Sequence, residues 1–241
     1  MDNQSRLEVF EAQTKNVREL DKVRKQITRT INDALRKDKS ALAKAQTKIL
    51  LLVYAAWSEA LFSKIIHTPY GFDLAEIRQI KKAQKQNGIS EGWKKCIELG
   101  LRRIANSPKS NYIPNIQKKL LQISSVYVFA PSKIRNKIAH GQLQVALNRK
   151  NTAINHELTN KIKNLDVVTL TRWFKVQWKL SQIIEALIES PNRTFHRDYW
   201  VLTEQLENYL EETKNHNLEE KVQLLKRKSV ASKRKLHLTP R

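Results

Sequence analysis

The sequence predicts a mainly α-helical protein. Only 5 Gly and 6 Pro are spread over the 241 residues, which leaves little of the turn chemistry that a many-stranded sheet needs. Long stretches rich in Leu, Ile, Ala, Lys, Glu and Gln instead repeat apolar residues at helical spacing. A chain of this length can bury a substantial core. We therefore expect one helical bundle over residues 1–215, followed by a basic, flexible tail over residues 216–241.

Two long helices are predicted at the N-terminus. Between residues 7 and 35, apolar side chains recur every three, four or seven positions among charged ones, which predicts an amphipathic helix with one buried stripe. Residues 41–66 are apolar on all sides around 50–57, although polar residues such as Glu59 interrupt a run of membrane-spanning length. We therefore expect a central, buried helix there. Glu59 would then be a carboxylate in apolar surroundings, which needs a partner.

Further helices are predicted from their capping and turn residues. Asp73 and Ser90 are candidate N-caps, Asn87-Gly88 is a turn, and Pro114 suits a first helical turn. The predicted helices cover residues 74–86, 91–105, 114–129, 167–188 and 195–214. After Gly141, apolar and polar residues alternate over a few positions, which favours either a short strand or an extended loop.

The charge balance indicates a polyanionic partner. Lys and Arg number 45 against 23 Asp and Glu, giving a net charge of +22. Nucleic acid is the favoured partner and an anionic membrane surface the alternative. The tail would contribute six of the binding cations: Lys226, Arg227, Lys228, Lys233, Arg234 and Lys235.

Cysteine usage and the N-terminus favour a cytoplasmic protein that needs no membrane. The single cysteine, Cys96, excludes an internal disulfide and a cysteine zinc cluster. The first residues carry no signal-peptide pattern. We therefore expect neither a metal nor another cofactor.

A polar cluster between apolar helical segments holds the best candidates for chemistry. Asn136 and His140 are four residues apart, so on a helix they project from one face. Arg135 lies about 140° round the helix from His140, at roughly 100° per residue, but its long side chain can reach back. Gly141 is typical of a helix terminator and leaves His140 in the last turn. A proton-carrying histidine beside a permanently charged guanidinium suits work on a phosphodiester.

A second Arg and His pair has similar spacing. Arg149 and His156 are separated by six residues, within an Asn- and Thr-rich stretch that has no clear helical face. Arg135 and His140 are instead flanked by apolar residues and followed by a glycine. This setting favours the first pair, and the role of the second is left open.

The segment Arg-Asn-Lys-Ile-Ala-His-Gly, residues 135–141, resembles the signature of the HEPN superfamily (higher eukaryotes and prokaryotes nucleotide-binding). The resemblance covers roughly residues 41–188 of an all-helical bundle, with residues 7–35 as an extra N-terminal helix. It does not cover the basic tail. The region after Gly141 is longer and less helical than a minimal bundle of this type, which leaves the subfamily open.

The resemblance implies an activity. Many members of the superfamily are metal-independent ribonucleases that act as dimers in toxin–antitoxin or antiviral systems. His140 would then carry protons, Arg135 would stabilise charge on the phosphate, and Asn136 would orient His140 or the scissile group, with Glu59 and Lys137 in support. RNA would be cleaved to 2′,3′-cyclic phosphate and 5′-OH ends by a homodimer, with an antitoxin or defence protein as a further partner.

The same residues also allow other interpretations. The chain could be a non-catalytic nucleic-acid-binding module, or a HEPN-like scaffold that binds a nucleotide or a partner protein. Arg135 and His140 could simply cap a helix end, with Arg135 paired to a carboxylate such as Glu59. The tryptophans are expected in the core or an interface, with base stacking as the alternative.

Overall fold

The computed structural model describes residues 2–104 and 111–237, with side chains described as far as Arg227. It confirms the all-α class, since these residues contain helices and no strand. The helices are α1 (Asn3–Arg36), α2 (Ser40–Ile66), α3 (Leu74–Asn87), α4 (Ile89–Arg102), α5 (Tyr112–Ser124), α6 (Ala130–Ala139), α7 (His156–Lys163), α8 (Val167–Glu189), α9 (Thr194–Thr213) and α10 (Leu218–His237). A π-helical turn, Ser125–Phe129, joins α5 to α6.

The two N-terminal helices form a hairpin. The side chain of Asp2 caps α1 by accepting a hydrogen bond from the backbone N–H of Ser5 at 2.7 Å. Asp38 turns the chain between the helices in the left-handed conformation, with φ of 55°. The amphipathic stripe predicted for α1 is present, and its members Val17 and Ile31 are buried.

Helix α2 is the centre of the bundle and packs against α1, α4, α6 and α8. By length and composition it could also span a membrane, but half of its most apolar window is buried inside the fold. The predicted central, buried helix is confirmed on the face of α2 that packs against these helices, but another face is exposed. Leu42, Ile49 and Leu52 are 43%, 45% and 38% exposed, so one face of α2 is an apolar surface.

Helix α8 packs against the buried side of α2, and α9 packs on α8. Between α2 and α8, the amide nitrogen of Gln177 donates a buried hydrogen bond of 2.5 Å to the hydroxyl of Ser58. Lys64 and Glu185 form a partly buried ion pair further along the same helices. The predicted limits of α8 and α9 agree with the structure to within about two residues.

Several predicted boundaries need correction. Helix α4 begins directly after Gly88, whose φ is 87°, so Ser90 is not its N-cap. It ends at Arg102, and residue 105, its expected end, lies outside the described residues. Helix α7 was not predicted, although Asn155 caps its first turn and basic residues fill its last turn.

The tail expected to be flexible from residue 216 is helical through His237 as α10. Its first half packs on the bundle through Leu218, Val222 and Leu225. Lys226 forms an ion pair of 2.7 Å with Asp38, at the turn between α1 and α2. Residues 216–227 therefore belong to the fold rather than to a separate tail.

The tryptophans divide between the core and the surface. Trp57 and Trp93 are buried, as expected, and Trp173 is half-buried. Trp178 and Trp200 are 39% and 63% exposed, so these two lie outside the core, and an interface or base-stacking position stays a prediction for them.

Candidate functional site

The candidate site begins at the irregular helical turn that precedes α6. Pro131 has no N–H to donate to the carbonyl of Tyr127, four residues earlier. The hydroxyl of Tyr54 on α2 donates to that carbonyl instead. Burial raises the pKa of Tyr54 well above its ordinary value, which keeps the hydroxyl protonated as a donor. The loss of one helical hydrogen bond thus ties the start of α6 to the core helix.

The polar cluster lies at the C-terminal end of α6. His140 is the C-cap residue, and its backbone N–H donates to the carbonyl of Asn136 at 3.2 Å. Gly141 has a φ of 80°. Its backbone N–H donates to the carbonyl of Ile138 at 3.0 Å, and the backbone N–H of Gln142 donates to the carbonyl of Lys137 at 2.9 Å. This pair of bonds is a Schellman motif, which needs a residue such as glycine after the cap. The predicted role of Gly141 as helix terminator is confirmed.

Arg135 is held against α2 by an ion pair. One of its terminal guanidinium nitrogens donates to a carboxylate oxygen of Glu59. The side chain of Glu59 is 51% exposed and that of Arg135 is 29% exposed. The expected pairing is therefore present, but the expectation that Glu59 lies in apolar surroundings is wrong. The Nε of Arg135 is buried without a hydrogen-bond partner in the described part of the chain.

His140 and Asn136 lie on the surface beside this pair. Both side chains are exposed and, among the described residues, neither makes a hydrogen bond or an ion pair. The structure brings Asn136 and His140 onto one helical face, as expected, but does not join His140 to Arg135 by a hydrogen bond. The imidazole is free to contact a ligand, while the guanidinium is held in place by α2.

Lys137 supports the loop that follows rather than the cluster itself. Its ammonium donates a long hydrogen bond of 3.4 Å to the carbonyl of Asn148. The loop from 141 to 155 contains one antiparallel bridge, between Leu147 and Ile154, and no strand. Of the two structures favoured for this region, the extended loop is therefore the correct one.

The second Arg and His pair is not assembled into a site. Arg149 lies in the turn of the 141–155 loop, and His156 is the first residue of α7. Both side chains are exposed, and neither has a hydrogen-bond or ion-pair partner in the described residues. They serve as natural controls for Arg135 and His140.

The structure describes only part of the predicted nucleic-acid-binding tail. Lys226 is paired with Asp38, and Arg227 is exposed. The side chains of Lys228, Lys233, Arg234 and Lys235 lie outside those described. Among the described residues, no three His, Cys, Asp or Glu side chains converge as metal ligands would.

Comparisons with known proteins identify no relative of this chain. No family model matches the chain, and searches among curated proteins and solved structures also found no match. The HEPN resemblance therefore depends on residues 135–141 and their position at the end of a helix in an all-α bundle.

Proposed function

We propose that the chain is a metal-independent endoribonuclease of HEPN type, acting as a toxin or antiviral effector. The observation that supports this most is the exposed imidazole of His140 at the end of α6, five residues after an arginine whose guanidinium is held by Glu59. Both groups are accessible to a phosphate of RNA, because His140 is exposed and the side chain of Arg135 is 29% exposed. The net charge of +22 would attract the polyanion on which they act.

The proposed chemistry uses a nucleophile that RNA itself carries. The 2′-oxygen attacks the adjacent phosphorus while a base removes its proton. The bond from phosphorus to the 5′-oxygen breaks, and an acid protonates that oxygen. Arg135 stabilises the negative charge that develops on the phosphate, and Asn136 orients the scissile group or His140. The products are a 2′,3′-cyclic phosphate and a 5′-OH.

In-line cleavage favours both a base and an acid, and one chain offers one His140. A second copy would supply the other histidine, and closed two-fold dimers are common. Helix α2 offers a surface for such pairing, because exposed apolar residues follow one another at spacings of three and four along one face. They are Leu42, Ala45, Ile49, Leu52 and Ala56.

Charge favours a second copy as the occupant of this face. If the two-fold axis is perpendicular to α2, the paired helices run antiparallel. The lysine-bearing start of one α2, with Lys44 and Lys48, then faces the end of the other that carries Glu59. Because Glu59 also holds Arg135, the proposed interface and the proposed site share α2.

One assay tests the activity. We expect the purified protein to cleave labelled RNA equally well with and without EDTA, and His140→Ala to lose cleavage while keeping its fold and RNA binding. Arg135→Ala should lose activity in the same way. The matched controls His156→Ala and Arg149→Ala should retain it, because these residues lie outside the cluster.

The outcomes separate the candidate functions. Cleavage that requires a divalent metal contradicts the mechanism, and RNA ends other than 2′,3′-cyclic phosphate contradict it as well. Binding without cleavage by the unaltered protein favours the non-catalytic nucleic-acid-binding module.

The dimer has its own test. Leu52→Glu places a charge in the apolar face of α2 and should give a monomer in light scattering with cleavage reduced at least about tenfold, a loss of more than about 1.4 kcal/mol of transition-state stabilisation. Val201→Glu, at an apolar residue of α9 that is 53% exposed, is the matched control. A protein that is monomeric and cleaves at full rate contradicts the shared site.

A further inference from the structure

A cavity of about 680 Å³ lies between α1, α8 and α9. Its volume is within the range of roughly 300–1,000 Å³ that is usual for small-molecule sites. Trp57, Phe174 and Trp178 form its aromatic floor, and Tyr209 lines it from α9.

The cavity is separate from the Arg135 cluster. Trp57 lines the cavity and Glu59 pairs with Arg135, although both belong to α2. Residues two apart on a helix differ by about 200° in direction, so these side chains leave α2 on opposite faces. A ligand in the cavity would therefore not contact His140 of the same chain.

One wall of the cavity is cationic. Arg18, Lys22 and Lys25 line it from α1 at spacings of four and three, and Lys175 lines it from α8. Asp21 is the acidic residue in the lining, and it is already paired with Arg24 at 2.7 Å and Lys25 at 2.7 Å. In the described part of the chain Arg18 and Lys175 have no ion-pair partner.

Trp178 offers an exposed aromatic face to a ligand, whereas the guanidinium of Arg24 lies over the ring of Phe174. Trp57 and Phe174 are buried and packed together, with ring centroids 5.2 Å apart. Trp178 is 39% exposed, so a flat group that enters the cavity would cover it. A planar aromatic group bearing negative charge satisfies both the exposed indole and the cationic wall.

The chain's own C-terminal residues do not suit this cavity. Residues 228–241 contain Lys and Arg but no Asp or Glu, so the cationic wall would repel them. A fatty acid would match the charge, but it would not use the aromatic faces. The combination favours a base joined to phosphate.

We propose that this cavity binds a nucleotide unit, with the base against Trp178 and Tyr209 and the phosphate beside Arg18 and Lys175. The unit comes from a free nucleotide or from a single-stranded RNA. This site does not depend on the proposed cleavage, and it is tested by binding in the His140→Ala protein.

Fluorescence anisotropy of the full chain distinguishes the sources with two probes, a fluorescent N-methylanthraniloyl-ATP and a labelled single-stranded RNA of ten nucleotides. We expect Trp178→Ala to weaken binding of at least one probe roughly 5- to 100-fold, as loss of base stacking does. Lys175→Gln should weaken it less and reduce its dependence on salt. Binding of the nucleotide identifies a free ligand, and an effect on RNA alone identifies a strand.

Matched variants control for the fold and for general charge. Trp200→Ala removes another exposed tryptophan, and Lys82→Gln removes an exposed lysine of α3; both should bind the probes as the parent does. The proposal is overturned if Trp178→Ala, shown to be folded by circular dichroism, binds both probes as tightly as Trp200→Ala. It is also overturned if a fluorescent fatty acid binds the cavity and neither nucleotide probe does.

Discussion

At the scale of single residues, the candidate cluster combines a fixed cation with an exposed base. The ion pair between Arg135 and Glu59 is partly exposed, so it contributes only about 0–1 kcal/mol to stability. Its main effect is to orient the guanidinium at the end of α6. His140 is positioned by the backbone alone, through the cap that Gly141 completes.

Gly141→Ala should lower the free energy of unfolding by about 1–2 kcal/mol, because a φ of 80° is unfavourable for a residue with a Cβ atom. No atom lies within 4 Å of the added Cβ, so the cost is conformational rather than steric. Gly141→Asn should cost less, since asparagine tolerates this conformation. Urea denaturation checks both, and equal stability of all three proteins would contradict the Schellman cap.

The residues of the cluster could be predicted from the sequence, but their setting could not. The spacing of Asn136, His140 and Gly141 was enough to predict their shared face and the helix end. The exposure of Glu59 could not be predicted, because α2 is apolar on nearly every side and its sequence does not show which face α6 covers. The partner of Glu59 is Arg135 on α6, 76 residues further along the chain.

At the scale of elements, a hydrogen bond joins α2 to the π-helical turn before α6 at a carbonyl that lacks an α-helical donor. Pro131 leaves the Tyr127 carbonyl without its helical hydrogen bond, and the Tyr54 hydroxyl takes the place of the missing N–H. Neither the π-helical turn nor this contact follows from periodicity, which predicted a single helix over residues 114–129. Periodicity succeeded for α1, α8 and α9, whose buried stripes extend over many turns.

Tyr54→Phe should lower the free energy of unfolding by about 1–3 kcal/mol, the cost of leaving the partly buried carbonyl of Tyr127 without this donor. Adding Pro131→Ala should recover part of this loss, because residue 131 then has an N–H that can donate to Tyr127. The measurement is a double-mutant cycle by chemical denaturation. Strictly additive effects of the two changes would show that Pro131 and Tyr54 do not share this carbonyl.

At the scale of the whole molecule, the charge of +22 acts on every approach of a polyanion. The sequence predicted this property fully, because it depends on composition. It could not show where the charge is concentrated, and the structure assigns part of the expected tail to α10 and to an ion pair with Asp38.

For the His140→Ala protein, the logarithm of the RNA-binding constant should fall linearly with the logarithm of the salt concentration. Replacing Lys233, Arg234 and Lys235 by Gln should reduce the slope by at most about 2, or about 0.7 for each phosphate that the variant no longer neutralises. The matched control replaces Lys81, Lys82 and Lys85 of α3, which are exposed. If both triple variants change the slope equally, the C-terminal cations have no special role in binding.

The packing of α2 against α8 also has a consequence for the order in which the protein is made. The buried hydrogen bond between Ser58 and Gln177 joins residues 119 positions apart. During synthesis the side of α2 that packs against α8 therefore stays uncovered until α8 has left the ribosome, although α1 can pack against α2 earlier. The part of the bundle that packs α8 against α2 therefore forms only after α8 has been made, so a nascent chain carries Arg135 and His140 before this packing exists.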